Sequence, residues 1–124
     1  MIDETTSFEC CGVRIDPMRM EQAVRAVLAS TGKGRSFHLC NAYTLSLAGG
    51  DAEYRQMLNE GDYNLPDGMP LIWIAERLGI EGLEGRVYGP DLSLATFDAG
   101  RETGARHFLY GAAPSTVSKM ASAL

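Results

Sequence analysis

Apolar positions along this chain fall into short runs of four or five residues, each followed by turn-forming residues and then by a stripe at helical spacing. Met20, Ala23, Val24, Val27 and Leu28 recur at i, i+3, i+4, i+7 and i+8, which predicts one buried helical face. Asp16-Pro17 supplies a cap and a first-turn proline ahead of it, and Gly32 and Gly34 end it. Upstream, Ser7-Phe-Glu-Cys10 and Val13-Arg-Ile-Asp16 flank Cys11-Gly12, a hairpin signature, and Met1 to Ser7 reads as a polar, frayed start. Ser36 to Cys40 is a short β-type run. Asn41-Ala-Tyr-Thr-Leu45 follows it, with a helical or turn segment from Ser46 to Gly50. Asp51 caps a helix with Tyr54, Met57 and Leu58 on one face, ended by Gly61.

The next unit is the most informative. Tyr63 to Leu65 predicts a strand, Pro66-Asp67-Gly68 a tight turn, and a helix begins near Pro70 with Leu71, Ile72, Ile74, Ala75 and Leu78 as its apolar set. Gly68 supplies the positive φ that such a turn needs, and Pro70 loses nothing in a first helical turn, where its N–H would be unpaired anyway. Trp73 on this helix is read as core. After a loop from Ile80 to Gly85, Arg86 to Tyr88 reads as a strand ending in Gly89-Pro90-Asp91, before a helix with Leu92, Ala95, Thr96 and Ala99. Arg106 to Tyr110 reads as a further strand, ending at Gly111 and Pro114, with a last helix carrying Val117, Met120, Ala121 and Leu124. Strand–turn–helix thus recurs four times, at 41, 67, 89 and 111. That alternation predicts an α/β fold: a Rossmann-like, mostly parallel sheet with flanking helices and an N-terminal β-hairpin, in one domain over 1–124 that reads as truncated.

Composition narrows the function classes. A chain of 124 residues with 45% apolar and 22% charged residues suits one small domain with a real core. A net charge of −5 argues against nucleic acid as a partner, which favours a basic stripe. Cys10, Cys11 and Cys40 form no metal-ligand spacing, and adjacent Cys10 and Cys11 point to opposite faces if that segment is a strand. Residues 1–9 hold three acids and no basic residue, so no secretory leader is read there. The thiols are taken as reduced packing groups and the location as cytoplasmic. No apolar run approaches the ~18 residues of a membrane span.

The candidate chemistry lies at the strand ends: Asn41; Asp67 with Gly68; Arg86, Gly89 and Asp91; and Tyr110 with Gly111. In an open parallel sheet these ends share one edge, where ligands bind. Helix N-termini beside them offer free N–H groups and partial positive charge to anions. Each residue also has a plainer reading. Asp67 and Gly68 are good turn residues, Asn41 a good helix cap, and Arg86 a surface partner for Glu84. Asp91 complements a helix dipole, while Gly89 and Gly111 permit close turns. Tyr43, Tyr88 and Tyr110 either border a sugar or pack as buried amphipathic groups. His38 and His107 are read as packing residues within strands, and two histidines without ligand spacing do not suggest zinc.

Several of these features together resemble the WecG/TagA/CpsF family of bacterial glycosyltransferases (glycosyltransferase family 26). They are Gly-Val-Arg-Ile-Asp (12–16), the strand leading to Asn41 and Ala42, the run Asn59…Gly61-Asp62…Leu65-Pro66-Asp67-Gly68, Leu78-Gly79, Arg86-Val-Tyr-Gly-Pro-Asp91, and Phe108-Leu-Tyr-Gly111 with Pro114. The Pro-Asp-Gly and Arg-Val-x-Gly-x-Asp pair, in this order and at this distance, is the specific part. The resemblance implies transfer of an N-acetylmannosamine-like hexose from a UDP-sugar to a polyprenyl-diphosphate-linked sugar, for cell-surface polysaccharide or teichoic-acid synthesis.

On that resemblance Asp67 is the general base on the acceptor hydroxyl, Asn41 orients substrate beside it, and Arg86 is a candidate for diphosphate contact. Gly68, Gly89, Asp91, Tyr110 and Gly111 belong to the implied substrate-binding set. Such chemistry needs no cofactor, and the absence of an Asp-x-Asp motif leads us to expect metal independence. Family members continue for several further strands, helices and a C-terminal tail linked to membrane contact, so the resemblance is to an N-terminal portion. Peripheral contact with the inner face of the plasma membrane is expected through that further region, and a homo-oligomer stays open. Two other classes compete: a non-catalytic, truncated remnant that binds ligand without turnover, and a dinucleotide-binding oxidoreductase. The latter is disfavoured because no Gly-x-Gly-x-x-Gly follows the first parallel strand.

Overall fold

The computed structural model describes residues 7–81, 83 and 85–124. The frayed start read over Met1 to Thr6, and Glu84 as a partner for Arg86, lie outside the described residues. The chain folds as β1 (Phe8–Cys10), β2 (Val13–Ile15), α1 (Met20–Ala29), β3 (Phe37–Cys40), α2 (Ala42–Gly50), α3 (Ala52–Glu60), β4 (Tyr63–Pro66), α4 (Met69–Arg77), α5 (Gly89–Gly100) and α6 (Pro114–Ala123), with a 3-10 turn at Arg101–Thr103. It is a mixed α/β molecule with a parallel β3–β4 sheet and an antiparallel β1–β2 hairpin.

The hairpin follows from alternation. Phe8, Val13 and Ile15 are buried while Glu9 is exposed, as expected for strands with one face on a core. Cys11 (φ +54°) and Gly12 (φ +78°) form the two-residue connection, with both central residues left-handed as a type I′ turn requires. Cys11 is not glycine, so this conformation costs about 1 kcal/mol. Cys11 belongs to the turn, as the hairpin reading has it, so the condition under which Cys10 and Cys11 would point to opposite strand faces is not met.

The parallel pair runs in register Phe37↔Tyr63 to Cys40↔Pro66, with the Phe37 and Tyr63 rings stacked at 4.8 Å. Its open end is pinned reciprocally: Ser36 N donates to Asp62 Oδ2 (2.9 Å) and Asp62 N donates to Ser36 Oγ (3.1 Å). The Ser36 bonds hold the exposed Asp62 carboxyl below its usual pKa range. Side chains leave the sheet on alternate faces. Cys40 joins a core of the hairpin, α2, α3 and α4, which includes Ile15, Leu45, Leu58 and Ile72. Leu65 joins a second core with Ala23 and Ala26 of α1 and Leu92 of α5. The result is helices on both faces of a short parallel sheet.

The outer edge of β4 explains where the predicted strands fail. Asn64 N donates to Asp16 Oδ2 (2.8 Å), and Asp16 N donates to Asn64 O (2.8 Å). Asp16 therefore occupies the rung that a third strand would need. Arg86 to Tyr88 is not a strand: the segment reaches β4 through one bond, Val87 N to Pro66 O (2.7 Å). Asp16 is thus a sheet-edge partner and not the cap of α1, which is Arg19, whose N–H donates to Gln22 Oε1 (2.9 Å). Arg106 to Tyr110 is not a strand either. Ala105 N donates to Gly100 O (2.9 Å), and His107 packs edge-on against Phe97 of α5 at 4.7 Å, so the run follows a helix and gains no ladder.

Two packing expectations also change. Trp73 is 59% exposed, because Leu71, Ile72 and Ala75 form the buried face of α4 and Trp73 falls outside that arc. Tyr43 and Tyr110 are exposed at 71% and 94%, and Tyr88 also faces solvent, so none is buried packing.

Candidate active site

The carboxyl ends of β3 and β4 lead into the first turns of α2 and α4, and Asn41, Asp67 and Gly68 stand at that junction. The backbone joins the two ends directly, since Asp67 N donates to Cys40 O (2.9 Å). Gly68 adopts φ +155° and ψ +142°, a region open essentially to glycine, so the turn from strand to helix fixes its residue type. A Cβ built on Gly68 would lie 3.6 Å from Asn41 Cβ, which places Asn41 beside the Asp67-Gly68 peptide.

Asn41 does act as a helix cap. Its Oδ1 accepts from Thr44 N (2.9 Å) and Thr44 Oγ1 (3.1 Å). Capping occupies the acceptor, and the exposed side chain keeps its Nδ2 donor for a ligand. The cap and site readings of Asn41 are therefore compatible.

Asp67 is half-buried. Its Oδ2 lies 3.9 Å from the position a Cβ on Gly89 would take, and that same Cβ would come within 2.8 Å of Leu39 Cδ1. The missing side chain lets the first residue of α5 approach the carboxylate. Three helices, α2, α4 and α5, thus begin around Asp67, and their N-terminal ends add partial positive charge there. The neighbouring Cys40 thiol senses the opposite sign: burial first, and then the carboxylates of Asp16 and Asp67, push it from its ordinary 9.0 up to about 11.

Arg86, Tyr110 and Gly111 line depressions other than this junction. Arg86 stacks over the Tyr88 ring at 4.6 Å and lines a shallow depression of about 250 Å³ with Arg19, Met20, Glu21 and Gly85. Asp91 is exposed in the first turn of α5, where a carboxylate complements the dipole. Tyr110 and Gly111 border a separate depression with Ser93, Phe97 and Met120.

Sequence reading missed the support under the site. Asn64 is fully buried in β4; its Nδ2 donates to Arg14 O (2.8 Å) and Leu58 O (3.1 Å), and its Oδ1 faces His38 Nδ1 at 3.0 Å. Two carbonyl acceptors fix the amide's orientation, so His38 must donate from Nδ1. Gly61 leaves room for that ring: a Cβ there would overlap it, with Nδ1 at 2.7 Å. Arg14 completes the network by pairing with Asp16 (3.4 Å) and donating to the carbonyls of Asn59 and Gly61 (3.0 Å each). The signal available in the sequence was a polar residue, Asn64, at an apolar position of a strand.

A strand-end aspartate, flanked by an amide and by helix N-termini, is a ligand site of open α/β sheets, but geometry alone does not fix the chemistry. The family profile for the Glycosyl transferase WecG/TagA/CpsF family matches residues 8–124. The chain belongs to that family. Its members are glycosyltransferases, so a sugar donor and an acceptor are the general substrate classes. No curated protein matches the chain. Among the described residues, no helix is long and apolar enough to cross a membrane.

Proposed function

We propose that this chain carries the acceptor-activating part of an inverting hexosyltransferase, which moves a hexose from a UDP-sugar to a polyprenyl-diphosphate-linked sugar in cell-envelope polysaccharide or teichoic-acid synthesis. The observation that supports the reading most is the meeting of Asp67, Asn41 and Gly89 on one rim of the parallel sheet. A sugar hydroxyl is a poor nucleophile, and Asp67 takes its proton as the bond to the anomeric carbon forms. Asn41 Nδ2 holds the substrate beside it. The departing diphosphate gains negative charge, and the first-turn N–H groups of α4 and α5 are the donors placed to meet it without a metal.

The test is UDP release with a UDP-hexose donor and a polyprenyl-diphosphate-linked N-acetylglucosamine analogue, comparing Asp67→Asn with the parent. Loss of about 10²–10⁴-fold is expected for removal of a general base. An unchanged rate removes Asp67 from its role. A second reading, a remnant that binds the donor without turnover, draws on the placement of Arg86, Tyr110 and Gly111 away from the rim. Donor binding by calorimetry without UDP release in the parent would select it.

A further inference from the structure

We propose that Cys10 and Cys11, at the tip of the β1–β2 hairpin, form a two-thiol chelating site for soft, low-coordinate ions such as trivalent arsenic. Adjacent residues of a regular strand point apart, but here the chain turns between them. Cys10 ends β1 opposite Val13, and Cys11 takes the first left-handed position of the turn. The Cys11 thiol is exposed and Cys10 is half-buried against the hairpin core. Burial foremost, and then the Cys11 group beside it, raise the Cys10 pKa.

The tip is held still by α3. Asn59 Nδ2 donates to Gly12 O (2.8 Å), and Arg14 N donates to Asn59 Oδ1 (2.9 Å). A Cβ on Gly12 would lie 2.7 Å from Arg55 Cδ, so the far side of the turn is already filled. The backbone that carries both thiols is therefore fixed in advance, with Cys11 exposed and Cys10 half-buried beside it, which lowers the cost of closing a chelate.

Geometry also selects the ligand class. Neighbouring Cα atoms across a trans peptide lie ~3.8 Å apart. Unstrained disulfides span about 4.4–6.8 Å between Cα atoms. Direct S–S closure is strained, and one large atom between the sulfurs relieves the ring. Zinc is a poor fit, because structural zinc takes four ligands and the described residues place no group of three or more His, Cys, Asp or Glu side chains for a metal. Two soft donors suit a thiophilic ion of low coordination number. With an aryl arsonous acid, two As–S bonds form and two As–O bonds break. The hydroxyls leave as two waters carrying the thiol protons, with no change of oxidation state.

The experiment treats the full chain with phenylarsine oxide and follows it by intact-mass spectrometry. One adduct per chain is expected, stable to excess glutathione and removed by a dithiol such as 2,3-dimercaptopropanol. Cys11→Ser, at the exposed position, should weaken retention by about 100-fold through loss of the chelate. Cys40→Ser should leave the adduct intact. Release by glutathione, retention by Cys11→Ser equal to the parent, or loss in Cys40→Ser would each overturn the site.

Discussion

Residues 8–100 and residues 105–124 carry the same strand–turn–helix grammar and end in different states. The first region places Ile15, Leu65, Ile72 and Val87 almost wholly out of water. The second contains no buried side chain, and Phe108 and Tyr110 are exposed at 88% and 94%. Both contain β-type runs, so propensity is not the difference. A run becomes a strand when a neighbour offers it free backbone groups, as β3 and β4 do for each other. Residues 86–88 meet an edge already claimed by Asp16, and residues 106–110 lie along α5.

The largest effect that separates the regions is core truncation. Ile72→Ala should destabilise by about 3 kcal/mol, while Phe108→Ala should stay within roughly 0.5 kcal/mol, in urea unfolding followed by circular dichroism. Similar losses would abolish the distinction. A smaller effect sharpens it: Asn64→Leu strands the Arg14 carbonyl and the His38 Nδ1–H and should cost about 2 kcal/mol despite its apolar gain. A stabilised variant would mean the buried network contributes nothing.

The smallest effect is pH dependence. Below pH 9 the Cys40 thiol is protonated in both states and its contribution is complete. Between pH 9 and about 11 the unfolded chain releases this proton and the folded chain retains it, so stability falls as pH rises. Cys40→Ala should show a shallower decline in that window, and an unchanged slope would mean that burial does not hold the thiol protonated.

What the sequence reveals follows the range of the forces involved. The Pro66-Asp67-Gly68 turn, the Asn41 junction and the Cys11-Gly12 hairpin were legible because turn chemistry acts over a few residues. The meeting of 41 with 67 was legible through topology, since parallel strands place their carboxyl ends together. The bond from Asn64 to Asp16 was not, because it joins positions 48 apart and uses a residue that also makes a credible helix cap. The strand expected over Arg86 to Tyr88 fails for the same reason: it depends on how little of β4 remains free to receive that segment. Trp73 was misread because hydrophobicity ranks a residue without giving its angle around a helix axis.

The Asp16 bracket has a directional consequence. With the outer flank of β4 taken by the Asp16 carboxylate and N–H and by Val87 N, that side of the sheet has no rung left for a further ladder. Growth of this layer is therefore one-sided, and any additional ribbon, from whatever source, must dock next to Phe37–Cys40 to be accepted.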